Sequence, residues 1–97
     1  MALEYNGNTP PVWSNTLAWI CTATEDWREL FNSKSVAIAT HRGGDGAQVL
    51  MALRNQLAYI GANVLGRQLL THYKKPLNPE LATAVIEQLL KLASLEA

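Results

Sequence analysis

The chain has a single cysteine, no surplus of either charge and no long hydrophobic run, and each shortage excludes something. Cys21 has no partner for an internal disulfide, which points to a reducing, cytoplasmic setting. Eight basic and eight acidic side chains cancel to a formal net charge of zero. A neutral chain has no electrostatic footprint for nucleic acid or for an anionic membrane surface. No apolar run approaches the roughly 18 residues of a membrane span, and no basic-then-apolar signal segment opens the sequence. His41, His72 and Cys21 lack metal-ligand spacing, and no Ser or Cys carries a local nucleophile signature.

What is present is a globular chain: 48% of residues are apolar and 16% charged, which is not the balance of a disordered segment. At 97 residues the limit is one domain, residues 1–97, without linker, repeat or low-complexity stretch. Surface scaling gives a compact monomer of this mass roughly 5,500 Å² of accessible surface.

Three segments have helical periodicity. The first is expected to take Thr9 as N-cap with Pro10 or Pro11 at its first position, and Trp13, Leu17 and Ile20 as its apolar stripe. The second pairs Asp45 as N-cap with Gln48 in a capping-box pattern. It carries Val49, Leu50, Leu53, Leu57 and Ile60 on one face and ends at Gly61. The third starts at Asn78–Pro79–Glu80 and aligns Leu81, Val85, Ile86, Leu89 and Leu92. Between them, "SVAIAT" (35–40) is apolar on both faces, as in the interior of a parallel sheet. "NVLGRQLLT" (63–71) is a second strand weakened by Gly66 and Arg67, and "MALEY" is the stump of a third. "EDWRELF" (25–31) predicts a helical turn seating Trp27 and Phe31. Strands alternating with helices predict an α/β layer sandwich on a short parallel sheet.

Ligands of open α/β sheets sit outside the carboxyl ends of the strands. Two polar, glycine-containing loops leave that edge, "EYNGN" and "HRGGDG". The bland reading makes both of them turns before helices. "GGDGAQV" invites a dinucleotide-fingerprint reading, but Val49 stands at the third glycine position and Asp45 repels a pyrophosphate. "HYKKP" (72–76) reads as a solvated connection.

"EYNGNTPPVWSNTLAW" (4–19) resembles the "PEYNGS-x-P-x-x-(L)-K-N-A-x-(D/E)-W" segment of NADPH-dependent FMN reductases, the flavodoxin-like flavoproteins. Glu4, Tyr5, Asn6, Gly7, Pro10, Asn15 and Trp19 match in identity and spacing. Residues 33–70 are similar to the next stretch of that family, a buried strand, a Gly-rich loop, a helix with "LR-x-x-L-x-x-x-G" and a last strand. Residues 79–95 stand where its closing helix lies. The resemblance implies a truncated flavodoxin-like three-layer sandwich with strands equivalent to 3-4-5 and three main helices, corresponding to the carboxyl-terminal half of a member. It implies FMN and NADPH as cofactors. Glu4, Tyr5, Asn6, Gly7 and Asn8 would run along the flavin ring, and His41, Arg42, Gly43 and Gly44 would approach its other side. Arg42 would also attract a nicotinamide phosphate.

The sequence departs from the family where FMN phosphate is held. No "GS-x-R-x-x-S" stretch occurs in the 97 residues, Leu3 replaces the usual proline and Ala18 the usual acidic residue before Trp19. Without that cradle the strongest charge-assisted contacts to the cofactor are missing. The expectations are therefore two: a truncated FMN reductase-like protein that binds flavin weakly, or a non-catalytic homo-oligomeric interaction module. A parallel sheet whose outer strand is uncovered favours self-association in either case.

Overall fold

Two prolines and an asparagine set where the outer helices begin. In the computed structural model, which describes residues 2, 5–41 and 46–95, helix α1 covers Pro11–Ala23 with Pro11 in its first turn. Its N-cap is Pro10, not Thr9, because Pro10 already has extended backbone and Pro11 is preset for helical φ. A single 3-10 turn follows at Trp27–Leu30, then strands β1 (Ser35–Val36) and β2 (Ala39–His41). Helix α2 is Ala47–Tyr59, strands β3 and β4 are Asn63–Val64 and Leu69–Thr71, and helix α3 is Pro79–Ser94. Asn78 caps α3 as expected, its side chain accepting from the N–H groups of Glu80 and Leu81. The expected capping box on α2 does not form: its N-cap is Gly46, with no side-chain bond, and Asp45 lies outside the described residues.

The strand candidates are each split in two. β1 pairs with β3 and β2 with β4, both parallel. Ser35 lies opposite Asn63, and Ala39 opposite Leu69. The first strand thus advances four residues while the second advances six, so two extra residues loop out around Gly66 and Arg67. Leu65 N–H donates to Val36 O at 2.9 Å and Leu69 N–H to Ile38 O at 3.1 Å, one on each side of the bulge. On the other side of β2, Ala2 N–H donates to Ala39 O at 3.0 Å, and the Thr40 hydroxyl donates to Ala2 O. Ala2 thus runs beside β2 as a third strand would. Tyr5, expected on that strand, begins a turn instead, and Leu3 lies outside the described residues.

Helices α1 and α2 share one face of the sheet. Leu17, Ile38, Leu50, Leu53, Leu57, Ile60 and Ala62 form the core, with Trp13, Phe31 and Val64 packed on it. Every member of the α2 stripe is buried. Trp13 Nε1 donates to Gln56 Oε1 at 2.6 Å and ties α1 to α2. The 3-10 turn sets Trp27 edge-on to Phe31, with ring centroids 6.4 Å apart. Strand alternation leaves Ala37 and Ala39 on the opposite face, where α3 packs against β1 and buries Val85. Ile86, expected in the α3 stripe, is 54% exposed, and Leu90 64%. The result is a narrow three-layer α/β sandwich. Its radius of gyration is 14.2 Å, against about 12.5 Å for a compact chain of this length.

Arg54 holds the bulge. Its Nη1 donates to Leu65 O at 2.9 Å, and Nη2 to Gly66 O at 3.4 Å and to Gln68 Oε1 at 3.0 Å. One planar fork thereby serves carbonyls that the interrupted ladder leaves without strand partners. Arg54→Met should cost about 1–3 kcal/mol, and Arg54→Lys should recover little of it, since an ammonium does not span the same acceptors. Chemical denaturation checks both, and wild-type stability in the Lys variant would remove the fork from the account. At the far end of α2, Gly61 has φ +102°, and a Cβ there would lie 2.6 Å from Asn32 Oδ1 and 3.3 Å from Asn32 Cα. Gly61→Ala should lower stability by at least about 1 kcal/mol, read as a fall in Tm of about 4–8 °C.

Candidate functional site

Because β2 and β4 are parallel, their carboxyl ends share one edge, and their register places His41 opposite Thr71. His41 Nδ1 and Thr71 Oγ1 lie 2.7 Å apart, which closes the two strand ends together. Three connections leave that edge: the chain after Ala2, the segment from His41 to α2, and the chain after Thr71.

The first connection is a tight turn. Tyr5 N–H donates to Asn8 O at 2.8 Å and Asn8 N–H to Tyr5 O at 3.0 Å. Between them Asn6 and Gly7 have φ of 52° and 81°. Two successive positive φ angles make this a type I′-like hairpin turn, for which Asn-Gly is the preferred pair. The turn decides which amides are left for a ligand. Those of Tyr5 and Asn8 are bonded within it, whereas those of Asn6 and Gly7 make no hydrogen bond among the described residues. The Asn8 side chain accepts from Thr9 N–H at 2.8 Å, which steadies the entry into α1. The Tyr5 ring is 59% exposed.

The turn sits against α2. A Cβ added to Gly7 would lie 4.0 Å from Gln48 Cβ, in the first turn of that helix. The Asn6–Gly7 turn and the start of α2 therefore meet, as expected of loops leaving one sheet edge. Gln48, expected to cap its own helix, is instead the contact between these two connections. Of the other expected site residues, His41 is exposed at the end of β2. Glu4, Arg42, Gly43 and Gly44 lie outside the described residues. Asn15 and Trp19 of the matching motif are exposed on α1.

The third connection is a second tight turn, with His72 N–H donating to Lys75 O and Lys75 N–H to His72 O at 3.0 and 2.9 Å. The His72 ring accepts from Lys74 N–H at 3.2 Å, and Lys74 Nζ lies 5.5 Å from the Tyr73 ring centroid. A segment read as a plain connection thus carries two lysines to the same edge as the Tyr5–Asn8 turn. The reading missed it because β4 had no fixed end until its register to β2 was known. His41 and Thr71 were likewise beyond reach as a pair, since nothing local links them. Among the described residues, no three His, Cys, Asp or Glu side chains are placed to hold a metal ion. No helix among them is long and apolar enough to cross a membrane.

The edge offers backbone donors, an exposed phenol ring and flanking cations. Chemically, such a set suits a planar, polar-edged, anionic molecule. No curated protein matches the chain. The family model described as NADPH-dependent FMN reductase matches residues 3–75. The match does not bear out the expectation of a carboxyl-terminal half, and it ends before α3, which the resemblance had placed among the family's elements. It takes in the Tyr5–Asn8 turn, all four strands, α2 and the His72–Lys75 turn, well over half of the sequence, and the chain belongs to the NADPH-dependent FMN reductase family.

Proposed function

We propose that this chain holds the isoalloxazine ring of a flavin at the carboxyl edge of its sheet and serves NADPH-dependent flavin reduction. The observation that carries the reading is the Asn6–Gly7 turn set against Gln48, with two amides that have no partner among the described residues. The residues fit the ring end of FMN. Asn6 and Gly7 would donate to its carbonyl-bearing edge, and Tyr5 would cover part of its surface. The bound flavin supplies the hydride chemistry. The chain's part is to bind and orient, with Lys74, Lys75 and Arg42 drawing anionic phosphates toward the edge.

The phosphate end fits poorly, since the 97 residues hold no Ser/Thr/Arg-rich strand-to-helix turn. These 97 residues thus offer ring contacts and no phosphate cradle. Its exposed free Cys21 agrees with a cytoplasmic setting. FMN and riboflavin should bind with affinities within about threefold of each other, because the phosphate adds only a screened surface attraction. Titration calorimetry with both flavins measures this. A preference for FMN of a hundredfold would show that a phosphate site exists, and no heat from either would remove the flavin reading.

A second reading, a homo-oligomeric interaction module, is favoured by the surface. The accessible area is 6621 Å², about 1,100 Å² above the roughly 5,500 Å² of a compact monomer of this mass. That excess exceeds the ~800 Å² per partner of a stable interface. Trp19, Ile86 and Leu90 are among the exposed apolar side chains that a second copy would cover. Light scattering should give more than the 10.7 kDa of one chain at micromolar concentration, with an unfolding midpoint that rises with concentration. A monodisperse monomer with a constant midpoint overturns this reading and leaves the flavin proposal standing.

A further inference from the structure

Beyond β4, at the end of the sheet away from Ala2, lies a cavity of about 220 Å³. Every residue that lines it falls between Gln68 and Leu81, so one continuous run of chain builds it. Leu69, Leu70 and Thr71 all contribute. Consecutive strand residues direct their side chains to opposite faces, so a cavity touching all three runs along the strand's outer edge. Leu69 N–H donates to Ile38 O, toward β2. In a parallel ladder the next residue turns its N–H and C=O the other way, and those of Leu70 therefore face the cavity. The polar side chains of the lining are committed elsewhere, with one exception. Gln68 Oε1 accepts from Arg54, Thr71 Oγ1 is paired with His41, and Asn78 caps α3. Lys75 has no side-chain hydrogen bond or ion pair among the described residues.

We infer that this cavity binds a small monocarboxylate with an apolar body of about six carbon atoms. The groups left uncommitted are donors, the Leu70 amide and the Lys75 ammonium. A carboxylate accepts only, and its charge strengthens both bonds, which a neutral amide or alcohol does not match. Pro76, Leu77 and Leu81 line the remainder and call for an apolar body. The space exceeds the roughly 150 Å³ of an apolar cavity that accepts benzene, so a six-carbon chain or ring enters. The occupant is a small molecule and not an added strand. β4 is three residues long and turns only Leu70 outward, too short a row for strand pairing. The site does not depend on what covers the edge at Ala2, from which β2 and β4 separate it. It also stands whether or not a flavin binds, since the flavin reading uses Lys75 only for attraction at long range.

The experiment titrates the isotope-labelled 97-residue chain, without flavin, with hexanoate and follows the amides by NMR. Saturable shifts should appear at Leu70, Thr71 and Leu81, with the Leu70 amide proton moving downfield. Acetate lacks the body and hexanamide lacks the charge, and each should bind at least about tenfold more weakly. Lys75→Gln should weaken hexanoate by about fivefold or more and leave hexanamide unchanged. Leu81→Phe fills the cavity from inside and should weaken both. Unchanged exchange protection of Leu65 and Leu69 in both variants shows that the strand pairs remain formed. Acetate binding as tightly as hexanoate would show an adventitious ion only and overturn the proposal. Equal binding of hexanamide, the absence of saturable shifts, or shifts that map outside residues 68–81 would overturn it too. It also fails if Leu70 becomes protected with rising protein concentration alone, which would make a second copy the occupant.

Discussion

The rest of the structure depends on how α2 is seated across two strands of unequal length. Between the β1–β3 and β2–β4 pairings the second strand carries two more residues than the first. A parallel ladder does not absorb such a difference without looping out backbone, and looped backbone leaves carbonyls without strand partners. Arg54 projects from α2 to the carbonyls of Leu65 and Gly66. Its own helix is anchored by Leu50, Leu53 and Leu57 in the core. The helix therefore does two jobs from adjacent positions. Leu53 fills the interior and Arg54 satisfies the edge of the interior, so neither the sheet register nor the helix position is set without the other.

The site inherits its geometry from this arrangement. The bulge lets the second strand recover its pairing with β2 after Gln68, so that Thr71 comes opposite His41 and both strands end together. The start of α2 is brought against Gly7 by the same seating. A displaced register would separate the two tight turns and the start of α2, which now share an edge. The residues that present the amides are thus local in origin, since Asn6–Gly7 is a turn that two residues specify. Their placement is not local, because it follows from Arg54, some fifty residues along the chain.

That division explains what was legible in the sequence. The α2 stripe was readable to the residue, since a 3.6-residue period needs no knowledge of partners. Asn78 and Gly61 were readable as start and stop for the same reason. Gly66 and Arg67 were readable as a weak point, but the number of extra residues was not, because register is a relation between two strands. Thr9 and Asp45 were misread as caps. A proline already in extended conformation and a glycine N-cap take those places, and backbone geometry overrode the side-chain preference. Asn-Gly carried a specific signal for a tight hairpin turn. Composition alone does not show that two of the segment's amides, those of Tyr5 and Asn8, are bonded inside the turn.

The two faces of the sheet divide the remaining physics unequally. On the α1 and α2 side, large branched residues from strands and helices interlock, and Trp13, Gln56 and Trp27 extend the contact to the rim. On the α3 side the strands present Ala37, Ala39 and the buried Leu65, and among α3 side chains only Val85 is fully buried. The two alanines let a helix approach closely but give it little area to bury, and apolar burial scales with area at about 25 cal/mol per Å². α3 is therefore seated through Val85, with Leu81, Leu89 and Leu92 half-buried, while Ile86 and Leu90 face outward. The buried contacts are concentrated where α2 meets the strands, next to the edge that carries the turns. Exposed apolar side chains lie on all three helices, among them Trp19 on α1, Met51 and Tyr59 on α2, and Ile86 and Leu90 on α3. The well-filled packing therefore lies behind the turns at the carboxyl edge, and the sparser packing lies under α3.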